Sequence, residues 1–117
     1  MKLFKEFIFE AAHKLPLVPK DHKCSNLHGH SFKVRIYVEG NVNDMGWVMD
    51  FSDIKLACGP VIEVLDHSYL NEIEGLENPT SENIAIWIWQ KLEGTLMGLS
   101  SIEIMETCNS GCIYKGD

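Results

Sequence analysis

At 117 residues and 45% apolar composition, the chain is expected to form one domain that buries roughly two thirds of its unfolded surface, and it is too apolar to be disordered. Its net charge of −7 and its scattered basic residues argue against a nucleic-acid partner. The longest apolar run, Ile84 to Trp89, is far shorter than the roughly 20 residues needed to span a bilayer.

The opening MKLFKEFIFE is interrupted by Lys5, Glu6 and Glu10 and has no small-residue cleavage site after it, so it reads as structure and a cytoplasmic protein is expected. Four cysteines, Cys24, Cys58, Cys108 and Cys112, form an even count that permits disulfides, but a reducing compartment favours thiols, metal ligands or catalytic groups. Cys108 and Cys112 form a CxxxC pair with no second pair to complete a four-thiolate site, and they read as structural thiols.

The first predicted element is a strand over residues 3–13, LFKEFIFEAAH, closed by Pro16. Residues 14–27, with two prolines, an aspartate and an asparagine, read as a loop. Residues 28–39 form the cleanest strand. His28, His30, Phe32, Val34, Ile36 and Val38 share one face, and Gly29, Ser31, Lys33, Arg35, Tyr37 and Glu39 share the other. Both histidines therefore lie on the apolar side. The turn residues GNVNDMG at 40–46 predict a hairpin into a short strand, GWVMDF.

Asp50 or Ser52 can cap a helix over about 53–65, with Ile54, Cys58, Val61, Ile62 and Leu65 on one stripe and a break or kink expected at Gly59-Pro60. Asn78-Pro79-Thr80-Ser81 opens a second helix over about 82–97. Its IAIWIW core is apolar nearly all round and is expected to be covered on more than one side. Residues 101–108 return to strand, with Ile102, Ile104, Glu106 and Cys108 on one face. A turn at Asn109-Ser110-Gly111 leads to a last strand at 112–114. The main elements follow a ββααββ order. That order predicts an α+β fold: a four-stranded antiparallel sheet with both helices on one face.

The chemistry concentrates in CSNLHGH, residues 24–30. An i, i+2 histidine pair on a strand sets two imidazoles side by side, close enough to share a metal, with Gly29 expected to leave room between them. Two imidazoles on an apolar face are costly to bury without a partner. His13 offers a third. Three neutral imidazoles and one open position describe a catalytic zinc site with Zn–N near ~2.1 Å, while the bland alternative is a set of satisfied core histidines. Cys24 reads either as a fourth ligand that closes a structural site or as a free thiol whose pKa a nearby cation lowers. Spacing does not decide between them.

Asp66-His67, in LDHSYLN, reads as a proton relay or as a polar helix end favoured by the dipole. Glu106, on the side of Ile102 and Ile104, needs strong donors. Those donors are the amidine-like N–H/NH₂ edge of a pterin or guanine, or else a Lys or Arg in a buried ion pair.

FEAAH at 9–13, CSNLHGH at 24–30, GWVMDF at 46–51, LDH at 65–67, NPTSEN at 78–83 and ETC…GCIYKG at 106–116 fall in order along nearly the whole chain. Together they resemble the 6-pyruvoyl-tetrahydropterin synthase family, and within it the bacterial queuosine-pathway branch that forms 6-carboxy-5,6,7,8-tetrahydropterin. The resemblance implies a tunnelling fold (T-fold) whose subunits join edge to edge into a ring barrel, a trimer-based homo-oligomer with a hexamer as one form, and active sites at subunit interfaces. It implies Zn²⁺ held by His13, His28 and His30, Cys24 as the catalytic base, and Asp66 with His67 as a relay partner. It also implies Glu106 as the anchor of the pterin ring, with Thr107, Thr80 and Ser81 helping to hold it. The implied reaction converts 7,8-dihydroneopterin triphosphate to 6-carboxytetrahydropterin with loss of acetaldehyde and triphosphate. Lys14, Lys20 and Lys23 are the nearest cations in sequence for the triphosphate.

Three rivals remain at this point: the pyruvoyl-forming branch, a zinc-binding module without catalysis, and a pterin binder that has lost activity. The three-residue gap between Cys24 and HGH and the tail ETCNSGCIYKG favour the carboxy branch over the pyruvoyl one.

Overall fold

Two twelve-residue strands, β1 (Lys2–His13) and β2 (His28–Glu39), form the longest antiparallel pair in the computed structural model, which describes residues 1–117. Their register runs from Lys2 opposite Glu39 to His13 opposite His28. The alternation of β2 decides which face is buried. Phe32, Val34, Ile36 and Val38 are all buried, and Phe9 of β1 stacks on Phe32 with ring centroids 4.9 Å apart. The opposite face carries Glu6 paired with Arg35, Glu10 bonded to Ser31, and Tyr37 bonded to Glu103.

Helix α1 (Phe51–Leu65) follows directly, and no strand forms over GWVMDF. Both edges of β2 are already occupied, by β1 and by β4 (Leu99–Thr107), which leaves a 46–51 strand no ladder to join. Asp50 instead caps α1, its Oδ1 accepting the Ser52 N–H at 2.9 Å. The helix thereby starts two residues before the sequence expectation. It also runs unbroken through Pro60, which lies on the exposed side of the helix. Ile54, Cys58, Ile62 and Leu65 pack inward.

After α1 the chain adds a strand that periodicity cannot announce. The two-residue β3 (Ser68–Tyr69) runs parallel to β1, with Ser68 opposite Ala11. Helix α2 (Ser81–Leu92) is capped by Thr80, whose side chain accepts the Asn83 N–H at 3.1 Å. It ends at Leu92, short of the expected 97, where Gly94 and a left-handed Gly98 (φ 81°) turn the chain into β4. Ile84, Ala85, Trp87, Ile88 and Leu92 are buried, and Trp89 meets Tyr114 edge-on at 5.7 Å. The all-round apolar pattern of α2 is thus covered from more than one side. Strand β5 (Ser110–Tyr114) pairs with β4 and completes a mixed five-stranded sheet in the order β3-β1-β2-β4-β5. The architecture is α+β. No helix is long and apolar enough to cross a membrane.

Candidate metal centre and active site

The β1–β2 register does most of the assembly. His13 ends β1 opposite His28, which begins β2, and His30 lies two residues further along the same face. Ring centroids are 4.5 Å apart for His13 and His28, 5.2 Å for His13 and His30, and 5.0 Å for His28 and His30. One ring nitrogen from each lies within 4.8 Å of the other two, so the three could hold a metal ion. Phe32 floors the cluster, edge-on to His13 at 5.5 Å and to His30 at 5.4 Å. Gly29 alternates to the opposite face, where an added Cβ would come within 3.4 Å of the Ala11 carbonyl, and so does not make room between the rings.

Hydrogen bonds orient two of the rings. Nδ1–H of His13 donates to the Pro79 carbonyl at 2.8 Å, and Nδ1–H of His28 donates to the Asn26 carbonyl at 2.7 Å. Each such bond leaves the Nε2 lone pair free for a ligand, as a metal-bound histidine does when its other ring nitrogen donates to a carbonyl. Nε2 of His13 and of His30 is buried with no hydrogen-bond partner. An orphaned buried nitrogen is expensive, and two that converge fit a cation between them. Burial lowers the His13 pKa, with smaller contributions from His28 and His30 in the same direction, against the opposing Pro79 bond and Glu106. The neutral ring is the form that binds metal.

Glu106 faces this triangle. Its Oε1 is 3.4 Å from Nε2 of His13 and 3.6 Å from Nε2 of His30. The register shift between Met105 and Thr107 falls at this residue, which is how a bulge re-aims a side chain near a site. No Lys or Arg lies within ion-pairing distance of it, which removes the buried-pair alternative.

Cys24 sits half-buried on a 3-10 turn (Lys23–Ser25) and lines a cleft of about 410 Å³ with Lys23, His28, Gly29, His30, Glu106 and Thr107. Its sulfur is not part of the 4.8 Å cluster of nitrogens. Of the three lysines in the loop, only Lys23 lines this cleft. Thr107 donates to the Asn109 side chain at 3.1 Å. Thr80 is the cap of α2, and Ser81 lines a smaller cleft of about 190 Å³ shared with Glu82, Glu106, Ser110, Gly111 and Cys112. Glu82, in the first turn of α2, faces that smaller cleft together with Glu106.

Asp66 and His67 stand apart. His67 Nδ1 lies 3.0 Å from Asp66 Oδ2, and the pair is tied to β1 through Glu10, whose N–H donates to Asp66 Oδ1 at 2.8 Å and whose carbonyl accepts the His67 N–H at 2.6 Å. The Glu10 bond first, and the His67 contact after it, hold the Asp66 carboxyl below its ordinary range. The His67 side chain is 80% exposed and its backbone takes a left-handed φ of 57°. It borders an open cleft of about 520 Å³ with Glu10, Ser31 and Ser68, whose lining also includes Gly29 and His30 of the Cys24 cleft. Within one chain, the structure does not bring His67 to the Cys24 cleft.

Comparison with known proteins decides the family. The sequence profile of 6-pyruvoyl tetrahydropterin synthase matches residues 2–117. The chain belongs to that family. It is 49% identical over 119 residues to 6-carboxy-5,6,7,8-tetrahydropterin synthase of Synechocystis sp., covering 96% of this chain and 91% of that protein. It is 41% identical over 90 residues to dihydroneopterin monophosphate aldolase of Pyrococcus furiosus, covering 77% and 73%. Among solved structures, 6-pyruvoyl tetrahydropterin synthase of Caenorhabditis elegans superposes with a TM-score of 0.91 at 30% identity, over 100% of this chain and 96% of that one. The T-fold subunit expected from the resemblance is therefore present.

Proposed function

We propose that this chain is a 6-carboxy-5,6,7,8-tetrahydropterin synthase, one catalytic domain over residues 1–117, acting on 7,8-dihydroneopterin triphosphate and releasing acetaldehyde and triphosphate. The observation that carries the proposal is the convergence in one cleft of the imidazole triangle, Cys24 and Glu106. The 49% identity to the Synechocystis enzyme supports the carboxy branch over the pyruvoyl one. The pathway served would be that of queuosine and related 7-deazapurines, in the cytoplasm.

His13, His28 and His30 would hold Zn²⁺ in a three-imidazole set with room for substrate oxygen. When bound, the ion supplies Lewis acidity toward the substrate's side-chain hydroxyls. Cys24 takes a carbon-bound proton from that side chain as general base. Glu106 accepts two parallel hydrogen bonds from the amidine-like edge of the pterin, with Thr107, Thr80 and Ser81 completing the grip on the ring. Holding the ring makes the proton transfers effectively intramolecular. Lys23, with Lys14 and Lys20 on the same loop, offsets the triphosphate charge in a chain of net charge −7.

The relay needs a second subunit. His67 lines no part of the Cys24 cleft in its own chain, so the proton that the Asp66–His67 pair returns reaches the Cys24 site of a neighbour in a ring-type homo-oligomer, trimer-based and extending to a hexamer. Incubating purified protein with dihydroneopterin triphosphate tests the reading. Acetaldehyde together with 6-carboxytetrahydropterin is the expected outcome; a pyruvoyl product without acetaldehyde would overturn the choice of branch. Zinc lost along with Cys24 in Cys24→Ala would favour the non-catalytic module.

A further inference from the structure

We infer that His22 is the positioning residue of Cys24, an inference that rests on the catalytic role proposed for that thiol. The three-residue turn that carries Cys24 buries none of its side chains, so packing does not hold it. Both backbone polar groups of Cys24 are nevertheless taken. Its N–H donates to Nδ1 of His22 at 3.0 Å, and its carbonyl accepts the Leu15 N–H at 2.8 Å.

The two ends of this clamp differ in kind. Leu15 lies two residues beyond His13, and Lys14 between them is pinned by Asn71, whose side chain accepts the Lys14 N–H at 3.0 Å and donates to its carbonyl at 2.8 Å. One end of Cys24 is thereby tied, through main chain, to the strand that presents a metal-ligating histidine. The other end depends on one imidazole. His22 occupies the N-cap of the turn with extended φ and ψ (−71°, 136°), where Ser, Thr, Asp or Asn is the usual acceptor. Its own backbone is set by a bond from its N–H to the Pro19 carbonyl at 2.9 Å and by one from the Ser25 N–H to its carbonyl at 3.0 Å. Ser25 Oγ closes the loop on the Lys20 carbonyl at 2.8 Å.

A ring nitrogen that accepts an N–H carries no proton, so His22 acts here as a neutral ring protonated on Nε2. Its function is geometric. With the main chain of Cys24 fixed at both ends, only side-chain rotation remains to vary the position of the sulfur relative to His28, His30 and Glu106. His22 reaches no lining position of that cleft itself, which makes it a support of the thiol and not a member of the reacting set.

His22 is exposed, so substitution leaves the core untouched. The test compares wild type, His22→Ala and His22→Asn by zinc content, by kcat and KM separately, and by hydrogen exchange at the Cys24 amide. Asn at an N-cap accepts the same N–H. His22→Ala should speed exchange at Cys24 and lower kcat by about fivefold each, the scale of a lost capping bond, with KM and zinc content held. His22→Asn should restore both. Unchanged exchange in His22→Ala, or a loss of kcat that Asn does not rescue, would overturn the inference. A wild type with no turnover, but with the exchange pattern as described, would overturn the proposed function while supporting the clamp.

Discussion

The imidazole triangle and the Asp66–His67 corner use the same strand, β1, in opposite ways. The triangle takes the buried end of the apolar face: His13 is fully buried, two of its three rings are oriented by carbonyls, and two nitrogens are left unpaired inside. The corner takes the outer edge. His67 is held by its neighbour Asp66 and by the Glu10 main chain, and its ring stands in solvent. One region is complete within a chain and the other is displayed outward. The proposed inter-subunit relay rests on this difference: the ring of His67 is exposed and oriented by a carboxylate, outside the Cys24 cleft of its own chain.

The sharpest way to break this contrast is to remove a triangle member. His30→Ala should abolish zinc binding by metal analysis and lower turnover by about 10⁴-fold, since loss of the metal removes several kcal/mol of charge stabilisation at 1.36 kcal/mol per decade. Cys24→Ala should keep zinc and lose about 10³-fold in kcat, the scale of a general base. If the corner serves a neighbour, two inactive variants should repair each other. Cys24→Ala and His67→Ala co-assembled at equal amounts should recover about one quarter of wild-type activity, the share of sites that draw both intact groups by random mixing. No recovery would mean that both groups act within one chain.

Acid is the mildest probe. His13 is held below its ordinary 6.5 chiefly by burial, so in the metal-free protein the unfolded chain takes up that proton first. Stability should therefore fall as the pH drops below about 6.5. Asp66, held below its ordinary 3.8, contributes stability that is fully present above that value and is lost as the pH falls through the lower folded value. Thermal melts of metal-free protein should show the triangle's loss at the higher pH. A flat profile between about pH 7 and 5 would remove His13 from that explanation.

Much of the site was legible because strand alternation is strict. Even spacing in HGHSFKVRIYVE placed His28 and His30 on the buried face without reference to any distant residue. Glu106 was legible as a residue of the apolar face for the same reason, through Ile102 and Ile104, but not as a neighbour of the rings. Residues 46–51 have the composition of a strand yet form none. Strand formation needs a free ladder, and β2 had none left. The clamp on Cys24 was not legible at all, since its bonds come from a loop where no periodicity operates.

By itself the sequence determined the elements whose apolar faces repeat at a fixed period, and with them the pairing of two histidines on one face. Only the tertiary structure decided that His13 ends opposite His28, that Glu106 comes within 3.4 Å of a ring nitrogen, and that His67 lines no part of the Cys24 cleft. Those outcomes depend on register, on a bulge and on which strand edge is free, and all three are settled by contacts between segments far apart in the chain.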